Sequence, residues 1–236
     1  VITAGVGRKP GETRLDLANK NISIARDVTA NIMKYYNGGA IMVVSNPVDV
    51  ITYLIQKESG LPHGRVFGTG TVLDSARFRY FLSTKIDADI RNIHGYTAGE
   101  HGDAQFAVWS SVHVSGMRLD SFCQKKGLAL DKNEVMNETI SSGAQVIKRK
   151  GVTNYAIAAI VAELAATVLK NRRSIFSVTS LLDDYYGISD VAISVPSFVG
   201  DEGVVGKLMY DFTQEEMENL QNTAKKMRAF LDSLKI

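Results

Sequence analysis

The chain has 236 residues, 45% hydrophobic and 22% charged, a balance ordinary for a globular protein with a sizeable core. Its 27 Lys and Arg against 25 Asp and Glu leave a formal net charge of +2, with both signs spread throughout, so nothing suggests a nucleic-acid groove. The single cysteine, Cys123, excludes an internal disulfide framework and fits a reducing compartment such as the cytoplasm. No apolar run reaches the roughly 18 residues of a membrane helix, and no signal peptide is visible.

Val1-Ile2-Thr3-Ala4-Gly5 reads as the end of a buried strand running into a glycine turn. A buried strand needs neighbours on both sides, so a further segment is expected before Val1. After a turn-rich loop from Gly5 to Glu12, apolar Leu17, Ile24, Val28 and Ile32 predict a helix from Thr13 to about Tyr36, stopped by Gly38-Gly39. Residues 40–45 and 65–69 read as buried parallel strands, with a helix over 48–59 between them. Strand, helix, strand, helix, strand at this spacing indicates a parallel α/β sheet.

Beyond about Leu73 the pattern becomes α+β, which divides the chain into 1–73 and 74–236. Helices are expected over 74–86, 131–148, 154–169 and 213–234, and strands over 92–97 and 107–114. Residues 174–199 alternate β-like stretches with turns.

His101 is the residue most suited to chemistry. It sits in Gly99-Glu100-His101-Gly102-Asp103, where small neighbours let an imidazole approach a ligand, and its charge changes near neutral pH. Asp74 could hold the ring in one tautomer, and Arg77 could grip a substrate carboxylate with two parallel hydrogen bonds. Together they describe an acid/base site for a small carboxylic acid.

Gly99–Asp103, taken with Leu73-Asp74-Ser75-Ala76-Arg77-Phe78-Arg79, resembles the L-lactate/L-malate dehydrogenase family, and within it the bacterial L-lactate dehydrogenases. Ile2–Gly5, Lys9-Pro10-Gly11-Glu12-Thr13-Arg14-Leu15, Ser45-Asn46-Pro47-Val48-Asp49 and Lys150-Gly151-Val152-Thr153 fall in the family's order, so the resemblance covers essentially the whole chain. It implies an incomplete Rossmann-type parallel sheet followed by an α+β substrate domain, NAD as cofactor and a homotetramer. His101 would be the acid/base, Asp74 its support and Arg77 the carboxylate-binding residue. Arg14 would polarise the carbonyl on loop closure. Asn46 would bind substrate and orient nicotinamide; Thr153 would line the substrate pocket. Ala4, Gly5, Val44 and Ile157 would complete the nicotinamide contacts. The glycine-rich pyrophosphate turn and ribose-binding acid that NAD needs are not in this sequence, and the resemblance places them before Val1.

The resemblance further implies that Arg79 and His94 bind fructose 1,6-bisphosphate between subunits. The substrate evidence divides. Arg8 stands where the family reads the distal end of the substrate; an arginine enclosed there favours a second carboxylate, as in oxaloacetate. Glu12-Thr13-Arg14-Leu15, Thr153, Ile157 and the Arg79/His94 pair favour pyruvate and L-lactate. The balance lies with lactate; malate is the alternative, and a truncated, non-catalytic homologue is the rival of a different class.

Overall fold

A computed structural model describes residues 1–7 and 14–236, apart from the Arg14 side chain. Arg8, Thr13 and the expected loop between them lie outside the described residues, as does the side chain of Arg14. The first segment makes one parallel bridge, Ile2 to Val43, with Ile2 N–H donating to Met42 O at 2.8 Å and Val44 N–H to Ile2 O at 2.9 Å. Ile2 is buried, whereas Ala4 and Gly5 are exposed.

Helix α1 (Arg14–Met33) leads to β1 (Ile41–Val43), α2 (Val48–Ser59), β2 (Val66–Gly68) and α3 (Val72–Ile86). α1 stops short of the expected Tyr36, whose hydroxyl instead donates to Gly39 O. α2 places Asp49 in its first turn and Lys57 in its last, favourable ends for the helix dipole, and closes on Gly60 at φ 65°. Short strands β3 (Ile93–His94), β4 (Thr97–Ala98), β5 (Phe106–Ala107), β6 (His113–Val114) and β7 (Met117–Arg118) follow. Then come α4 (Leu119–Lys126), α5 (Lys132–Lys150), α6 (Tyr155–Leu169), the long strands β8 (Ser174–Leu182) and β9 (Val191–Gly200), β10 (Gly203–Lys207) and α7 (Gln214–Ser233).

Two expected strands are interrupted. The run 92–97 becomes β3 and β4 in different sheets, because the chain passes close against the core at Gly95, where a Cβ would stand 3.1 Å from Phe78 and Val112. The run 107–114 breaks into a short helical turn at 109–111. There Ser110 gives both its N–H and its hydroxyl to Glu216 instead of a strand ladder.

The main sheet has the order β1-β2-β8-β9-β10. β1 and β2 are parallel; β8 joins β2 antiparallel at Gly68–Thr179, and β8 and β9 pair from Ser174–Val199 to Leu182–Val191. One mixed sheet therefore takes strands from both sides of residue 73. Alternation along the strands sends neighbours to opposite faces, both covered. Ile41, Val43 and Val66 join a core with Ile51, Ile55, Leu220 and Leu231 of α2 and α7. Met42 and Phe67 face the other way, against Val178, Val199 and Leu164 of α6. A third cluster packs Phe78, Leu82 and Ile86 of α3 against Ile93, Val114, Leu119 and Val135. No helix among the described residues is long and apolar enough to cross a membrane.

Gly70 marks where the second half of the chain crosses the end of β2. Its φ is +49°, and an added Cβ would stand 2.4 Å from Ser194 Oγ and 2.6 Å from Thr179 N. Gly70→Ala is expected to destabilise the fold by about 3 kcal/mol, combining left-handed strain and overpacking. A lowered urea midpoint at unchanged m-value checks this.

Candidate active site

α3 presents Asp74 and Arg77 one turn apart on the same side of the helix. Asp74 is 2% exposed, so its carboxylate needs partners. It has two: Arg77 Nη1 donates to Oδ1 at 3.0 Å, and His101 Nδ1 lies 2.6 Å from Oδ2. The His101 side chain comes from the loop after β4 and remains 29% exposed. That loop is fixed at Gly99 (φ +95°), which exchanges two 2.8 Å backbone hydrogen bonds with Ser194 of β9. The Arg77 guanidinium lies against Gly143 of α5, where a Cβ would stand 3.5 Å from Nη1.

The electrostatics follow from this packing. Burial by itself disfavours the imidazolium of His101, but the Asp74 hydrogen bond and the charges of Asp74 and Asp49 outweigh it, and the pKa rises above the usual histidine value. Burial pushes the Asp74 carboxyl upward, yet His101 and Arg77 together hold it below the ordinary aspartate value. With Nδ1 engaged by Asp74, Nε2 is the ring atom left for a substrate.

The structure thus brings together His101, Asp74 and Arg77 from three sequence-predicted positions. Asn46 follows β1, three residues before Asp49, whose carboxylate accepts the His101 N–H at 2.8 Å, so the end of β1 and the histidine loop share one end of the sheet. At that end Ser45 Oγ donates to Ala4 O at 2.6 Å, and Asn21 ties Val6 to the Asn46 carbonyl. Ala4, Gly5 and Asn46 are exposed there and Val44 is half-buried, and a Cβ on Gly5 would stand 3.2 Å from Asn21 Oδ1. This small-residue ledge at the carboxyl ends of parallel strands fits the nicotinamide end of a dinucleotide. Thr153, before α6, and Ile157, in its first turn, are half-buried; among the described residues neither hydrogen-bonds to His101, Asp74 or Arg77.

Arg79 and His94 line one cavity of about 390 Å³, together with Arg91, Tyr96 and Glu163. Arg79 Nη1 donates to Gly95 O at 3.0 Å, and burial lowers the guanidinium's pKa from its ordinary value. His94 is exposed.

Sequence reasoning left Asp49 and Thr179 without roles. A signal was present: Asp49 is the only charged residue in Val48-Asp49-Val50-Ile51-Thr52-Tyr53-Leu54-Ile55, and an acid in so apolar a helix turn requires a partner.

Comparison with known proteins finds relatives across the whole chain. The family model described as lactate/malate dehydrogenase, NAD binding domain, matches residues 1–68, and that of the lactate/malate dehydrogenase alpha/beta C-terminal domain matches residues 71–235. An L-lactate dehydrogenase of Thermoanaerobacter sp. (strain X514) is 42% identical over 100% of this chain and 77% of its own length. The solved L-lactate dehydrogenase from Clostridium thermocellum is 49% identical, with a TM-score of 0.87, over 97% of this chain and 76% of that one. Malate dehydrogenase from Archaeoglobus fulgidus in complex with NADH superposes with a TM-score of 0.89 at 36% identity, over 99% of this chain and 74% of that one. The chain spans about three quarters of the length of these relatives and belongs to the lactate/malate dehydrogenase family.

Proposed function

We propose that the protein is an NAD-dependent L-lactate dehydrogenase interconverting pyruvate and L-lactate. The observation that carries the reading is the His101–Asp74–Arg77 cluster: an imidazole with one nitrogen held by a buried carboxylate, beside a guanidinium suited to a 2-oxo acid. The nicotinamide, when bound, supplies or accepts hydride at the substrate's second carbon. His101 gives the proton from Nε2 to the pyruvate oxygen and takes it back in lactate oxidation. Asp74 keeps the Nδ1 proton in place and stabilises the imidazolium. Arg77, with one nitrogen on Asp74, directs its remaining donors at the substrate carboxylate. Arg14 polarises the carbonyl; Asn46 and Thr153 border the substrate; Ala4, Gly5, Val44, Asn46 and Ile157 form the nicotinamide wall.

Residues 1–73 form the cofactor-side unit and 74–236 the substrate-side unit of this proposal. The cavity bearing Arg79 and His94 is the effector site for fructose 1,6-bisphosphate, a reading supported by the addition of Arg91 to that pair. Assembly as a homotetramer is supported by α6, an apolar helix of which Tyr155 and Leu169 are 77% and 85% exposed. A cytoplasmic role in fermentative glycolysis completes the proposal.

Oxaloacetate is the second reading, favoured by Arg8 in the sequence. Comparing kcat/KM for pyruvate and oxaloacetate in the full-length protein, with and without fructose 1,6-bisphosphate, decides between them. The expected result is a preference for pyruvate of about tenfold or more, enhanced by the bisphosphate. A preference for oxaloacetate that Arg8→Gln reverses establishes malate dehydrogenase instead.

A further inference from the structure

Asp49 is 2% exposed in the first turn of α2, and both its carboxylate oxygens are engaged by groups far away in sequence. Oδ2 accepts the His101 backbone N–H at 2.8 Å, and Oδ1 accepts the Thr179 hydroxyl at 2.5 Å. Thr179 lies 3.0 Å from Ser194 Oγ, and that oxygen accepts the Thr71 N–H at 3.1 Å, one residue before α3 begins. Ser194 also carries the double backbone bridge to Gly99. One buried polar network therefore links the helix after Asn46, the sheet, the start of the helix bearing Asp74 and Arg77, and the histidine loop at Gly99 and His101.

We propose that Asp49 is a positioning residue for His101: clamped by Thr179, it fixes the histidine backbone from the cofactor side while Asp74 fixes the ring from the substrate side. The inference rests on the reaction proposed above. A neutral acceptor could satisfy the N–H without the cost of burying a charge, so a buried carboxylate here indicates that the charge itself is used. Among the described residues the charged groups acting on the imidazole are Asp74 and Arg77 from α3 and Asp49 from α2; the histidine's own loop also carries Glu100, which is buried, and Asp103, which is exposed. Asp49 is the second negative charge that favours the imidazolium, opposing Arg77. Geometry and charge thus serve one end, a histidine held in place and biased toward the imidazolium that a 2-oxo acid requires.

Asp49→Asn keeps the size and one acceptor oxygen but removes the charge and one of the two hydrogen bonds. The expected result is a lower midpoint for the His101 imidazole titration, followed by NMR. With it, kcat for pyruvate reduction falls about tenfold, while KM for pyruvate changes less than about threefold because Arg77 is untouched. An unmoved titration together with a wild-type kcat overturns the proposal. Should Asp49→Asn fail to fold, Thr179→Val and Thr179→Ser decide: the valine variant loses kcat at unchanged KM and the serine variant, which keeps the hydroxyl, restores it. Equal, wild-type kcat in both overturns the proposal. In the full-length protein, a displaced titration without pyruvate turnover upholds Asp49's role and refutes only the proposed reaction. Turnover with an unmoved titration and kcat refutes only Asp49's role.

Discussion

His101→Asn is expected to lower kcat for pyruvate reduction by about three orders of magnitude, the size of a positioned general acid. Asparagine retains a hydrogen-bonding group near Asp74 but has no proton to release and recover near neutral pH. Binding through Arg77 survives, so KM is expected to change far less than kcat. A kcat within about tenfold of wild type contradicts the assignment of His101.

The same variant has a second readout, in stability against pH. The folded-state pKa of His101 is raised, so its contribution to stability is fully present below about pH 6.5, the unfolded value, and fades as pH rises through the folded value. The folded-state pKa of Asp74 is lowered, so its contribution is present above about pH 4 and fades as pH falls through the lowered value. Both describe one ion pair, strongest between these limits. In His101→Asn the loss of urea stability that sets in as pH rises above about 6.5 is expected to disappear.

Arg77→Lys is expected to carry the second-largest effect. Lysine keeps the charge but not the planar fork, so one of two parallel bonds to the substrate carboxylate is lost, along with the geometry that orders Asp74. Losing a charge-assisted bond and its alignment costs about 3 kcal/mol, or about two orders of magnitude in kcat/KM, with a raised KM. Because the positive charge near His101 remains, the pH dependence is expected to stay close to wild type. An unchanged KM for pyruvate contradicts the role given to Arg77.

Much of the site was legible because its chemistry is local. Asp74 and Arg77 are three residues apart on a helix, and His101 is advertised by the glycines around it. The long helices were legible through periodicity and their ends: Asp131 accepts from the N–H groups of Asn133 and Glu134 at the start of α5, Gly151 closes it at φ 85°, and Thr213 with Glu216 caps α7. The missed elements had weak or distant signals. In α4 only Leu119 and Cys123 are buried, too few for a period to show. β10, Gly203-Val204-Val205-Gly206-Lys207, carries two glycines that dilute a strand signal; pairing with β9, not propensity, makes it a strand. The union of β8 with the parallel strands rests on Gly68 meeting Thr179, a contact no local pattern records. The partners of Asp49 were hidden in the same way, since they lie 52 and 130 residues away.

The pH dependence of catalysis in both directions tests the role of His101 most directly. Pyruvate reduction requires the imidazolium, so its kcat/KM is expected to fall as pH rises through the raised His101 pKa; L-lactate oxidation requires the neutral ring and is expected to fall as pH drops through the same value. Mirror-image limbs sharing one midpoint above 6.5, both abolished in His101→Asn, are the predicted result. Limbs that run in the same direction, or that persist without His101, contradict it.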